Sequence, residues 1–279
     1  MLTALFLSGM ATAGPWTREL GSYYVQGGGD VYVPTEYVQK GDDEVAVSDD
    51  VFTGHLYTLY AEVGLSPKHP VQLVVSLPFA RYRVDFYRED AFKTAEGSVT
   101  TNHFQDLRIM PQVALHKDYP IAAAVEIKQP LYSNRTICKQ YNVFQEICAI
   151  PGHGQNDITP WLLIGGSAKN APFWAEAGLG YLWRTENFRK WNPGFELVDG
   201  LTWQTTTGAN LGKSFWMIKT KGVKNFKSDK VTNEYASISP GALFTAWDRV
   251  GIDLHVGWEF WANNQSRGVT YGAGVSWFK

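Results

Sequence analysis

The chain has 279 residues, a formal net charge of −2 and a pI near 6.3. Its 25 basic and 27 acidic side chains form no dense Lys/Arg tract, which argues against a nucleic-acid partner. Mean hydropathy is −0.22 and no apolar run reaches about eighteen residues, so a helical membrane protein is excluded. A membrane barrel is not, because only alternate residues of a strand meet lipid.

The first segment differs from the rest. Leu2 to Ala11 is a short apolar region, and Ala11-Thr12-Ala13 is a small-x-small site before Gly14. That pattern predicts a secretory signal peptide over residues 1–13, with the mature domain spanning 14–279. No Lys or Arg precedes Arg18, so the basic leading region of such peptides is missing, and a short buried strand is the rival reading.

Strand patterns recur from Gly21 to the end. Gly21 to Val33 contains Gly27-Gly28-Gly29, which predicts a bend or bulge. A polar loop is expected over Pro34 to Asp50. Phe52 to Leu65 places Tyr57, Leu59, Ala61, Val63 and Leu65 on one face, opposite Thr58, Tyr60, Glu62 and Gly64. After the turn at Ser66–Pro70, Val71, Leu73, Val75, Leu77 and Phe79 alternate with Gln72, Val74, Ser76 and Pro78. Pro78 is out of place in a sheet interior. A long polar loop is expected from Arg83 to Asn102. Phe104 to His116 sets Leu107, Ile109, Val113 and Leu115 against Asp106, Arg108 and Gln112. Ile121 to Tyr132 sets Ile121, Ala123, Val125 and Ile127 against Glu126 and Lys128.

Cys138 and Cys148 are the two cysteines of the chain, in the polar segment Ser133 to Gln155. In an exported protein they are expected to form one loop disulfide, stabilising by about 2–3 kcal/mol. The rival is a metal site with His153, for which the paired Cys-x-x-Cys spacing is lacking.

Asn156 to Arg184 is a hairpin around the turn Lys169-Asn170-Ala171-Pro172. In its second run Phe173, Ala175, Ala177, Leu179, Tyr181 and Trp183 share one face, and Trp174, Glu176, Gly178, Gly180 and Arg184 the other. A strand is then expected over Gly194–Thr206, where Asp199 falls on the apolar face and predicts a register shift. Further strands are expected over Ser214–Val223, Asn233–Phe244, Val250–Ala262 and Gly268–Phe278, with a Lys-rich loop over Lys221–Lys230.

The pattern amounts to about twelve strands, with short turns alternating with longer loops. Runs of about a dozen residues exceed the usual soluble strand and suit a tilted membrane crossing. The expected fold is all-β, a transmembrane antiparallel up-and-down β-barrel in a bacterial outer membrane, both termini periplasmic. A soluble β-sandwich shows the same alternation, and strand length and loop pattern separate the two. The last strand turns Tyr271, Ala273, Val275 and Trp277 outward and ends Phe278-Lys279. It resembles the aromatic C-terminal signal read by the barrel assembly machinery, with Lys279 displacing the terminal aromatic.

Two strand openings carry a family resemblance: Asp106-Leu107-Arg108, and Gly154-Gln155-Asn156-Asp157-Ile158. Each precedes an alternating run, a short proline-containing turn and a return strand. This layout resembles the outer-membrane barrels associated with the meta-pathway of phenol degradation, which often open strands with Gly-x-Gly-Asp. Here Asn156 replaces the second glycine, and His103-Phe104-Gln105-Asp106 lacks both. The resemblance implies passage of small, hydrophobic or aromatic solutes.

Alternation assigns Glu62, Asp106, Arg108, Glu126, Lys128, Glu176, Asp253, His255 and Glu259 to the lumen. Charges in a narrow lumen need opposite partners, so these are expected to pair across strands, either filling the barrel or lining a constriction. An outer-membrane lipid hydrolase is the enzymatic alternative. His255 with Asp253 and Glu259 would be its base, but no Gly-x-Ser-x-Gly elbow is present. A closed structural or adhesion barrel whose loops bind a partner is the remaining alternative. No cofactor is implied. Outer-membrane lipid is an expected partner, and the basic stretch Lys219 to Lys230 could meet lipopolysaccharide. The sequon Asn134-Arg135-Thr136 is expected to be inert in a bacterium. Trp174, Trp183, Trp247, Trp258, Trp261 and Trp277 are expected to form interfacial girdles.

Overall fold

The computed structural model describes residues 2–3, 14–38, 51–66, 70–90, 93–116, 118–132, 138–142, 145–150, 156–185, 197–227, 232–263 and 265–279. The signal-peptide expectation for residues 4–13, the sequon and His153 lie outside these residues.

The strands are β1 (Leu2–Thr3), β2 (Tyr23–Val38), β3 (Val51–Gly64), β4 (Val71–Asp90), β5 (Lys93–Phe104) and β6 (Asp106–Ala114). They continue with β7 (Ile121–Pro130), β8 (Cys138–Asn142), β9 (Gln145–Ile150), β10 (Asp157–Ser167) and β11 (Phe173–Arg184). The rest are β12 (Gly200–Leu211), β13 (Ser214–Asn225), β14 (Glu234–Trp247), β15 (Val250–Asn263) and β16 (Gln265–Phe278). Consecutive barrel strands pair antiparallel, β16 pairs β2, and β3–β4 completes the ring. β5 and β6 both pair with β4 and form one interrupted strand, so the sheet is a closed barrel of 12 strands. The termini meet at one rim, where Tyr23 N–H donates to Lys279 C=O at 3.2 Å and Lys279 N–H donates to Tyr23 C=O at 3.0 Å. A second, three-stranded sheet orders β1, β9 and β8.

Two kinds of side chain divide the wall. Leu59, Leu162, Leu179, Leu254, Val256 and Val275 are exposed on the outside, as a lipid-facing surface requires. The inside buries polar groups such as Gln26, Asp30, Gln72, Gln112, Lys128 and Glu259, together with a small apolar cluster of Tyr60, Val74, Met110 and Leu163. Trp183, Trp247 and Trp277 are exposed near strand ends, and Trp258 is exposed farther in along β15. Trp174 departs from that girdle: it turns inward and packs edge-on against Trp16 with ring centroids 6.1 Å apart.

One ladder irregularity lies at a proline. Pro78 pairs with Thr58 on the β3 side and faces the β5/β6 interruption on the other. Gln105 N–H donates to Pro78 C=O at 2.8 Å, but Pro78 has no N–H to return, and Gln105 C=O accepts instead from Leu131 N–H at 3.3 Å. The extra residue makes a β-bulge that turns the Gln105 side chain inward, where its Nε2 donates to Tyr82 Oη at 2.7 Å.

Several expectations are corrected. The glycine triplet carries no bulge: Gly27, Gly28 and Gly29 stay in register with Val275, Gly274 and Ala273, and the Tyr57 ring covers Gly29. The loop expected over residues 83–102 is mostly hairpin, with β4 and β5 paired out to Asp90 and Lys93. The cysteine loop holds the β8–β9 hairpin. The strand expected from Gly194 begins at Gly200, so Asp199 needs no register shift; it precedes β12 and accepts from Tyr181 Oη at 2.8 Å and Arg184 N–H at 2.9 Å. Lys221 belongs to β13 rather than a loop. Backbone register sets Cys138 opposite Cys148; their side chains are not among the described ones.

Candidate functional site

A segment that precedes the first barrel strand packs against inward-facing residues of the wall. Residues Gly14 to Ser22 enter the mouth on the short-turn side, and two buried glutamines hold them. Gln112 Nε2 donates to Gly14 C=O at 2.7 Å, Gln72 Nε2 donates to Gln112 Oε1 at 3.2 Å, and Arg18 N–H donates to Gln72 Oε1 at 2.9 Å. Pro15 is fully buried and lies against Gly165, where a β-carbon would fall 2.6 Å from its ring. Arg18 Nε pairs with Glu62 Oε2 at 2.6 Å, and Glu62 Oε1 accepts from Tyr60 Oη at 2.7 Å. The Arg18 guanidinium stands 5.3 Å from the Tyr24 ring centroid.

Charged side chains sort into local pairs around the wall. Lys128 on β7 reaches Asp157 on β10 at 2.5 Å and Asp106 on β6 at 3.7 Å, so the two strand-opening aspartates converge on one ammonium. Arg108 Nη1 donates to Glu126 Oε1 at 2.9 Å across the same seam. His255 stands between two carboxylates. Its Nε2 is 3.1 Å from Asp30 Oδ1, at ion-pair distance without the alignment of a hydrogen bond, and its Nδ1 is 3.7 Å from Asp253 Oδ1. Gln26 Nε2 donates to the other Asp253 oxygen. Gly272 lies between His255 and Asp30 in register, and a β-carbon there would collide with both side chains. Glu259 accepts from Tyr32 Oη at 2.9 Å.

Thus Glu62, Asp106, Arg108, Glu126, Lys128, Glu176, Asp253, His255 and Glu259 all project inward, but in separate groups rather than one ring. Asp30 and Asp253 each face one His255 nitrogen, and Glu259, which lines a small pocket with His255, Ser237 and Ser239, accepts from Tyr32. Among the described residues no group of three or more His, Cys, Asp or Glu side chains is placed to hold a metal ion.

Beside the Gly14–Ser22 segment lies a cavity of about 440 Å³. Trp16, Tyr24, Trp174, Phe215, Met217 and Leu243 supply apolar walls, and Glu62, Glu176, Lys219 and His255 supply polar ones. Sequence reading missed Trp16, Arg18, Tyr24, Asp30 and Lys219. Lys219 and Lys221 alternate with Ile218 and Thr220, and Asp30 with Val31, so the same two-residue period would have placed them. No periodic signal marks Trp16 or Arg18, which belong to no strand.

No family model matches the sequence, and no curated protein matches it. Solved structures do match in fold. The COG4313 outer membrane channel from Pseudomonas putida F1 superposes with a TM-score of 0.70 over 97% of this chain and 100% of its own, at 10% identity. This is the fold of bacterial outer-membrane barrels. The transport unit of the autotransporter AIDA-I from Escherichia coli matches with a TM-score of 0.52 over 92% of this chain and 90% of its own, at 7% identity. At these identities the likeness is one of fold alone.

Proposed function

We propose that this chain is an outer-membrane channel for passive passage of small solutes, hydrophobic or aromatic ones included. The observation that carries the reading is the 440 Å³ lumenal cavity, walled by Trp16, Tyr24, Trp174 and Phe215 and edged by charges that already have partners. Its volume falls within the range of small-molecule sites. Stacking and apolar contact suit a planar ring, and pre-paired charges impose no net sign on what enters. A barrel of the same fold, the Pseudomonas putida protein, is an outer membrane channel.

The test has two stages. Detergent-extracted protein is run on a gel with and without boiling, where a heat-dependent shift reports a stable barrel. The folded protein then goes into liposomes, and swelling is followed in phenol, benzoate and sugars of similar size. Faster swelling with the aromatic solutes than with the sugars supports the reading. A heat-modifiable barrel that passes none of them overturns it in favour of a closed barrel whose loops bind a partner.

A further inference from the structure

The Gly14–Ser22 segment begins where the expected leader ends, and its first residue occupies a polar seat. Gly14 lies against the Glu176 carboxylate so closely that a β-carbon would collide with Glu176 Oε2. Its carbonyl accepts from the buried Gln112. Glu176 itself stands on β11 opposite Thr206 of β12 and Lys219 of β13. Gly14 thus touches a lumenal carboxylate and directly succeeds a small-x-small site, the position a new N-terminus would take.

We propose that Ala13–Gly14 is the processing site of the exported precursor, and that the α-ammonium released at Gly14 ion-pairs with Glu176 inside the barrel mouth. A leader peptidase adds water across the Ala13–Gly14 amide, leaving a carboxylate on the leader, an amine on Gly14 and one proton released to solvent. That amine takes up one proton from solvent at neutral pH, since an α-ammonium loses it only at about pH 7.7–8.0. A peptide N–H offers one donor and no charge. The ammonium offers three donors and a unit positive charge, and the Glu176 carboxylate, which already interacts with Lys219, gains a second cation in direct contact. A side chain at the new terminus would push the Glu176 carboxylate from its place beside it.

Cleavage therefore seats the segment as well as freeing it. Before processing, Gly14 is held by Gln112 and by Pro15 packing against Gly165. After it, both ends of the short segment carry ion pairs: the terminus with Glu176, and Arg18 with Glu62.

The experiment uses full-length protein expressed with its leader and purified from outer membranes. Mass spectrometry of the terminal peptide is expected to find Gly14 first, and any other terminus overturns the proposal. The folded barrel is then treated at neutral pH with a small amine-acylating reagent, and the Gly14 amine is compared between the unmodified protein and Glu176→Gln. The isosteric variant preserves packing, and its boiling-dependent gel shift confirms that it folds. Acylation of Gly14 is expected to be roughly tenfold slower with Glu176 present. Equal rates in the two folded proteins overturn the ion pair. Solute permeation is measured separately, so failure here leaves the channel reading standing.

Discussion

Lys128 should dominate the stability of its side of the barrel. Its side chain is 10% exposed and those of its partners Asp106 and Asp157 are 12% and 7% exposed. Replacing Lys128 by Met keeps the aliphatic stem and removes the charge. Two carboxylates on the strands that flank β7 are then left inside the wall without a cation, at a cost of about 3–5 kcal/mol for breaking a buried pair. Restoring neutrality should undo most of the loss, because exchanging a whole buried ionic group for uncharged residues is often close to neutral. The triple variant Asp106→Asn, Lys128→Met, Asp157→Asn is thus expected to recover to within about 1–2 kcal/mol of the parent. The assay is urea unfolding of the barrel in lipid vesicles, monitored by tryptophan fluorescence. A single Lys128→Met loss below about 1 kcal/mol, the range of exposed pairs, would refute the reasoning. So would a triple variant no more stable than the single one.

Three other outcomes are expected. Gly272→Ala forces a β-carbon into His255 and Asp30 and should cost about 1–3 kcal/mol, read as a lower midpoint for loss of the folded gel band. Arg18→Ala removes the Glu62 pair that holds the Gly14–Ser22 segment and should raise single-channel conductance in planar bilayers; an unchanged conductance would show that this segment does not restrict the lumen. Cys138 and Cys148, opposed in register on the β8–β9 hairpin, should resist maleimide until a reductant is added; labelling of both without reductant would refute the disulfide.

The fold was legible where the chain crosses lipid and illegible beyond it. The period of two in Phe173–Arg184 and Val250–Asn263 exists because each residue there meets either lipid or lumen. Past Phe86 the β4–β5 hairpin is dense in charged and small residues, and alternation fades although the backbone ladder continues to Asp90 and Lys93. Asp199 misled for a related reason: it precedes β12 and serves as an acceptor for Tyr181 and Arg184, a role that periodicity does not encode.

Local chemistry determined the strand count and the apolar outer face. Those depend on each residue's own polarity and on a two-residue repeat. The partners of the charges were decided only by tertiary structure. Asp30 meets His255 across a glycine in the intervening strand, and Asp106 and Asp157 share Lys128, because barrel closure and register bring together residues distant in sequence. The lumenal seat of Gly14–Ser22 was decided in the same way. Short polar and aromatic residues carry no repeat of their own, and what holds them is a pair of buried glutamines on two other strands.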